Sequence, residues 1–340
     1  MRPDASENSQ ISPSTIVRAA RAAGSHPHLA SVLLQGRKSA NIHASSGVIR
    51  GILVTMKRAI LKKIDSFLGR YTRVPIQSAT DRILLEGPQK VIAAELLSAH
   101  GNVNPLLRPS VRHFSQNDED GITLRILDRL GRREPATFLE FGVGDGLENN
   151  TLILLAMKWR GTWVGGEPLA FSPANSRLNF IQEWVTKENC VALVRQALGP
   201  SGLADVKFAS FDLDGNDYHL VSVLLAAGLA PDVFVVEYNA KFPANAEFVM
   251  PYDPQHRWSY DDYFGASLRS WQVLFEKAGF QLVACNLTGV NAFFVSKKHS
   301  GLFGDIPTEI SSLYSHGTYL ILPRSGHPTS RRTVEYLISC

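Results

Sequence analysis

The sequence predicts an α/β protein built on an open, doubly wound sheet of mostly parallel strands with one antiparallel edge strand. Three observations carry this. From Thr137 onward, short apolar runs alternate with segments of helical periodicity, the order that gives parallel strands joined by crossover helices. The stretch FLEFGVGDGLENN (138–150) puts three alternating glycines where the first strand must turn into the first helix. The last two apolar runs, QLVACNL and NAFFVSK, are joined by a few residues that include Gly289, which favours a hairpin and a reversed strand.

The elements follow in order. Residues 1–45, rich in Ser, Ala, His and Arg, are expected to be a disordered tail with a short helix near Ile16–Ala23. Residues 46–110 are read as a basic helical extension. Within it, Ile49, Ile52, Leu53, Met56, Ile60, Ile64 and Phe67 keep helical spacing, with Arg50, Lys57, Lys62 and Lys63 largely off that stripe. Packing against a neighbour is favoured for 48–69 over peripheral contact with an anionic membrane, because Gly51 and the mixed wheel weaken the membrane case. Another helix is expected over Ala79–Ala99.

Residues 111–300 form the α/β domain and 301–340 a C-terminal extension. Ile122, Ile126, Leu127 and Leu130 mark a helix that Arg132, Arg133 and Pro135 end. TFLEFGV is the first strand, NNTLILLAMKW a helix and GTWVGGE the second strand. SRLNFIQEWV reads as a helix and CVALVRQ as the third strand. VKFASFDLD and PDVFVVEYN are strands flanking the helix YHLVSVLLAAG, and LRSWQVLFEKAGF is the helix before the hairpin.

Composition sets bounds on function. With 340 residues, 44% hydrophobic and 19% charged, the chain suits a soluble globular protein of one large domain with additions or of two domains. No apolar run reaches the roughly 18 residues of a membrane span, and MRPDASENSQ lacks the order of a secretory signal. Cys190, Cys285 and Cys340 lie far apart, with no metal or disulfide spacing, so a cytoplasmic setting is expected. The net charge of +4 divides into +8 over residues 1–100 and −4 over the rest, so no specific nucleic-acid partner is expected.

The glycine loop fails two nucleotide patterns. Counting from Gly142 or Gly144, the third glycine of a dinucleotide fingerprint falls on Leu147 or Asn149. No Gly-Lys-Ser/Thr follows for a triphosphate. What remains, Glu140, Gly142, Gly144 and Gly146 in E-x-G-x-G-x-G, resembles the first motif of class I S-adenosylmethionine-dependent methyltransferases. SFDLDGND (Asp212, Asp214, Asp217) resembles the fourth motif of FkbM-like members, and FSQNDEDGI (Phe114–Ile122) the segment that precedes their glycine loop. MPYDPQHRWSYDDYFGASL and GVNAFFV are similar to later segments of one subgroup, so the resemblance covers about residues 110–300.

The resemblance implies a Rossmann-like sheet and S-adenosyl-L-methionine as cofactor. Gly142, Gly144, Asp145 and Gly146 would wrap its methionine part, with Glu140 and Asp212 beside them. Glu167, closing the second strand, would hold the ribose hydroxyls, and Ala197, at the end of the expected third strand, would meet the adenine. Asp212 and Asp214 share a strand face and point to the carboxyl edge, where open α/β sheets bind ligands; a solvated turn suits Asp217. For transfer to a hydroxyl, Asp214 is the first candidate base, Glu237 the second and His256 a third, while His219 is read as structural. The segment 241–263 interrupts the alternation and carries aromatic residues. Tyr238, Asn239, Trp258 and Tyr260 are therefore the candidate acceptor contacts, suited to a sugar or other polyol. Asp212 or Asp214 with Glu237 and Asn239 would also suit magnesium or calcium, but hydrogen bonding to cofactor and acceptor is the favoured reading, with no metal. The partner expected is a small-molecule or glycan acceptor, the activity O-methylation. The competing readings are an inactive scaffold in surface-polysaccharide assembly and a basic N-terminal arm as the working part.

Overall fold

Seven strands make one sheet: β1 (Thr137–Phe141), β2 (Arg160–Gly165), β3 (Leu178–Gln182), β4 (Val206–Phe211), β5 (Val233–Glu237), β6 (Phe280–Cys285) and β7 (Asn291–Ser296). The computed structural model describes residues 91–318 and 329–339, apart from 102, 109–110, 133, 174–175, 200–201 and 260. The expected N-terminal tail, the basic stripe at 48–69 and Tyr260 lie outside the described residues. Helices are α1 (91–101), α2 (Glu119–Arg129), α3 (Leu152–Ala156), α4 (Cys190–Leu198), α5 (Asp217–Ala226), α6 (Leu268–Lys277), α7 (Ile310–Leu313) and α8 (Arg331–Ser339). Among the described residues, no helix is long and apolar enough to cross a membrane.

The strand order is β3-β2-β1-β4-β5-β7-β6. From β1 the chain moves one way to β2 and β3, then returns and moves the other way through β4 and β5. Crossovers of one hand that travel in opposite directions put their helices on opposite faces, which makes the sheet doubly wound. Strands β1 to β5 pair in parallel, and β7 runs antiparallel to both β5 and β6. The reversed strand therefore lies one place in from the edge, with β6 outside it.

Central strands covered on both faces read as continuous apolar runs, and β4 and β5 are buried along almost their whole length. Phe141 stacks on Phe211 across β1 and β4 at 4.9 Å, and Phe275 of α6 stacks on Phe294 of β7 at 4.3 Å. Ser267 caps α6 by accepting from the Ser270 amide. At the amino edge, buried Asp232 takes Lys298, His299 and Arg132. Burial alone would raise its carboxyl, but these three partners outweigh it and hold the pKa at about 2. Arg177 bonds the Trp159 carbonyl and that of Leu337, tying α8 to the β2 side of the sheet.

One pair of expected elements is exchanged. Leu178–Gln182, read as helix, is β3, and Cys190–Leu198, read as the third strand, is helix α4. Both segments are short, and short apolar runs fit either period. In α4 the buried residues are Cys190 and Val194, one helical turn apart. Gly199 (φ 63°) ends the helix, with Pro200 next in sequence, a local stop signal that outweighs the β-branched content. Leu178–Gln182 becomes a strand because Gly161–Gly165 of β2 offers it an unpaired edge.

Candidate active site

The strand order reverses between β1 and β4, and open α/β sheets place ligand crevices outside the carboxyl ends of such strands. Loop 142–151 leaves β1 there and presses on the end of β4. A Cβ on Gly142 (φ 81°) would stand 1.6 Å from the Asp212 carbonyl oxygen, so only glycine lets the two strand ends meet. Gly144 also has positive φ (50°), but a Cβ there would enter open space. Beside the loop is a cleft of about 130 Å³ that opens to solvent. Gly142, Val143, Gly144 and Asp145 line it together with Glu140, Asp212 and Asn291.

Glu140, at the penultimate position of β1, is buried. Its two oxygens accept from the amides of Asn150 (3.0 Å) and Thr151 (3.2 Å) and from the Thr151 hydroxyl, which in turn accepts from Trp163 Nε1 at 2.8 Å. The carboxylate thus takes up amides at the entrance of α3. Burial pushes its pKa up to about 7, against the opposing pull of those hydrogen bonds.

The β4–α5 turn gathers the other acids. Asp217 is fully buried and accepts from the Leu213 and Gly215 amides at 2.7 and 3.1 Å, closing the turn. The solvated role expected for Asp217 is corrected: a buried carboxylate bound by two amides shapes the loop. Between those amides, Asp214 adopts a left-handed backbone (φ 55°) rare outside glycine. Its side chain is exposed to solvent. Partial withdrawal from water and then the Asp217 charge push its carboxyl to about 6, while His256 pulls the other way. Asp212 and Glu237 are both raised well above the usual range, first by burial and then by neighbouring carboxylates. Among the described residues, one oxygen each from Asp212, Asp214 and Glu237 lies within 4.8 Å of the others.

Residues 238–267 leave the end of β5 and fold across two other loops. Asn216 bonds Asp253 with both ends of its amide, at 2.7 and 3.3 Å. His256 packs on Gly215 and its Nε2 donates to the Asp214 carbonyl at 3.2 Å. On the far side, Trp184 Nε1 donates to the Pro254 carbonyl, the Tyr252 hydroxyl donates to Glu188, and Arg257 lies over the Trp184 ring at 4.6 Å. The excursion thereby joins the acidic turn to the β3–α4 connection.

The other sequence candidates are distributed unevenly. Gly146 is a packing position: its Cβ would stand 2.9 Å from Trp163, Leu169 and Phe171. Glu167 is exposed, two residues past β2, and does not line the cleft. Ala197 is corrected, since it sits in the last turn of α4 rather than at a strand end. Tyr238 is corrected as well: it is a core residue whose hydroxyl donates to the Ser315 carbonyl at 2.6 Å. Asn239 spends its amide on the carbonyls of Asp262 and Phe264 and accepts from the Lys241 amide, so it anchors the excursion instead of facing an acceptor. Trp258 lies at the surface, its indole donating to the Asp261 carbonyl. His219 donates to the Met250 carbonyl, as a structural residue would.

Sequence reading missed Gln116, Glu148, Asn149, Asn150 and Asn291, which complete the lining. Asn149 and Asn150 lay inside the glycine stretch, where Asn149 figured only as a failed glycine register and Asn150 had no reading. The three acids of FSQNDEDGI also gain roles. Asp120 accepts from the amides of His113, Phe114 and Ser115, Asp118 from the Leu287 amide, and Glu119 from Asn286 and Asn291. They strap this segment over the carboxyl edge.

A Rossmann-like sheet in this order, with its reversed strand beside the edge, a glycine turn after β1 and acids after β4, is the class I methyltransferase fold. No family model matches the chain, and no curated protein matches it. Solved structures do. The chain is similar to the MycE methyltransferase from the mycinamycin biosynthetic pathway in complex with Mg, SAH and mycinamycin VI, at 16% identity and TM-score 0.25, over 51% of this chain and 46% of that one. It is similar to the CurJ carbon methyltransferase at 11% identity and TM-score 0.32, over 63% and 60%. A further crystal form of MycE, with Mg and SAH, gives 15% identity and TM-score 0.28 over 72% and 54%. The chain thus spans between about half and three-fifths of the length of these structures.

Proposed function

We propose that the chain is an S-adenosylmethionine-dependent methyltransferase of the FkbM-like subgroup, acting on a hydroxyl of a glycan, glycolipid or secondary-metabolite acceptor. The observation that carries this reading is the charge of the cleft. Its lining includes the carboxylates Glu140, Asp145, Glu148 and Asp212 and, among the described residues, no lysine or arginine. The amides entering α3 are already bonded to Glu140. A pyrophosphate or triphosphate needs free amides and cations at this place. S-adenosylmethionine carries a sulfonium and an ammonium against a single carboxylate, and no phosphate, so the same lining attracts its net positive charge. When bound, it supplies a methyl group on an already activated sulfur.

The chain's own residues would do the rest. Gly142, Gly144 and Asp145 would hold the methionine part against Asp212, and Glu167, two residues past β2 and outside the cleft lining, would reach the ribose hydroxyls only if its loop moved towards the cleft. Alignment of an acceptor hydroxyl is worth up to roughly 7–11 kcal/mol in ideal cases. Removal of its proton by a placed base adds about 10²–10⁴ in rate, most effectively when the base titrates near the working pH. Asp214, exposed and raised to about 6 in the ion-free chain, suits that role, and Glu237 is the second candidate. The excursion over the acidic turn would cover the acceptor, with Trp258 offering an aromatic face. This reading places the protein in the cytoplasm.

Calorimetric titration tests it. S-adenosylmethionine and S-adenosylhomocysteine should each bind one per chain, at least tenfold more weakly to Gly144→Ala and Asp212→Asn, while NADH and ATP give no heat. Absence of binding by both sulfur compounds would overturn the proposal.

A further inference from the structure

We propose that Asp212, Asp214 and Glu237 bind a divalent cation of the magnesium or manganese kind. The three residues sit at the ends of β4 and β5, which are neighbours in the sheet, and one oxygen from each lies within 4.8 Å of the other two. Carboxylates this close repel one another unless a proton or a metal ion lies between them.

Two further observations distinguish this group from a solvated acidic patch. Glu237 Oε2 is buried and has no hydrogen-bond partner among the described residues. Asn291 pairs in register with Glu237 across β5 and β7, lines the cleft with Asp212 and is only 3% exposed. Its Nδ2 donates to Glu119 at 3.2 Å, which leaves Oδ1 as the end turned elsewhere, and that oxygen has no partner among the described residues. A buried carboxylate oxygen and a buried amide oxygen, both without a donor, mark a deficit that a cation would fill.

The backbone is arranged to present the third acid. Asp214 holds its left-handed conformation because Asp217 binds the amides on either side and His256 holds its carbonyl. A conformation of that kind persists only where its surroundings enforce it. Every donor is an oxygen, with no histidine or cysteine in the group, which selects a hard ion. Three side chains would leave coordination positions open, as suits an ion that keeps water or takes oxygens from a second molecule. In a hydroxyl methyltransferase the ion would orient an oxygen-rich acceptor, but the site does not depend on that activity.

Manganese titrated into the full chain, stripped with chelator and free of S-adenosylmethionine, tests the site. Paramagnetic resonance of the free ion and calorimetry should report one ion per chain, and the melting temperature should rise on adding manganese. Glu237→Gln, which keeps side-chain volume, and Asp214→Asn, at a solvent-exposed position, should each weaken binding at least tenfold. Melting curves without metal establish that the variants fold, and Asp214→Asn decides the matter if Glu237→Gln does not. Failure of the wild type to take manganese, or binding by a folded variant as tight as by the wild type, would overturn the site. S-adenosylhomocysteine titrated into the same samples separates the two ideas: a chain that binds it but fails to take manganese loses only the ion site, and a chain that takes manganese but fails to bind it loses only the methyltransferase reading.

Discussion

Glu140 shows how one residue type carries two messages. In sequence it opens a glycine motif; in space both oxygens are committed to the chain, and the carboxylate shapes its own loop beside the cleft. The pKa consequence has a definite sign. Its folded value of about 7 lies above the ordinary 4.5, so this contribution to stability is fully present below pH 4.5 and is lost as pH rises through 7. The loss is on the order of 3 kcal/mol. Melting temperatures of the ligand-free protein should therefore fall across that window, and Glu140→Gln should flatten the slope. The loop glycines divide in the same way. Gly142→Ala should abolish folding through its 1.6 Å backbone clash, whereas Gly144→Ala, costing roughly 1–2 kcal/mol for the left-handed backbone, should fold and lose ligand. Soluble yield and calorimetry distinguish the two.

At the scale of elements, the long excursion was visible in sequence as a break in the strand–helix alternation, rich in aromatic residues. Its attachment was not. Asn216, in the middle of DLDGND, clamps Asp253, and Asn239 clamps its base, although neither asparagine carries a signal that separates clamp from ligand. Asn216→Ala should release the excursion: hydrogen exchange of residues 251–259 should quicken at least tenfold while strand amides remain protected. Unchanged exchange would mean that the Trp184 and Tyr252 contacts hold it alone. The exchanged β3 and α4 belong to this scale too. Local composition favoured the wrong element in each, and an open sheet edge decided between them.

For the whole molecule, the sheet separates two kinds of charge. Its carboxyl edge collects acids that are raised by one another and by burial, while its amino edge holds Asp232 low among Arg132, Lys298 and His299. Because the Asp232 value is depressed from 3.8 to about 2, its contribution is present above pH 3.8 and is lost as pH falls through 2. Acid unfolding should begin at higher pH in Asp232→Asn and show a shallower dependence below pH 4, read by circular dichroism.

By itself the sequence determined the alternation of strands and helices, the hairpin at the end, the glycine turn after β1 and the acids after β4, because period, turn chemistry and residue type are local properties. It also excluded phosphate patterns by register. Only the tertiary structure decided that Glu140 closes its own loop, that Tyr238 and Asn239 serve the core and the excursion, and that Asn291 joins Asp212 at the cleft. Those roles depend on partners as far away as 172 positions along the chain, Glu119 to Asn291 among them, which no local pattern encodes. The same distance explains the acidic group: Asp212 and Glu237 are neighbours because β4 and β5 pair.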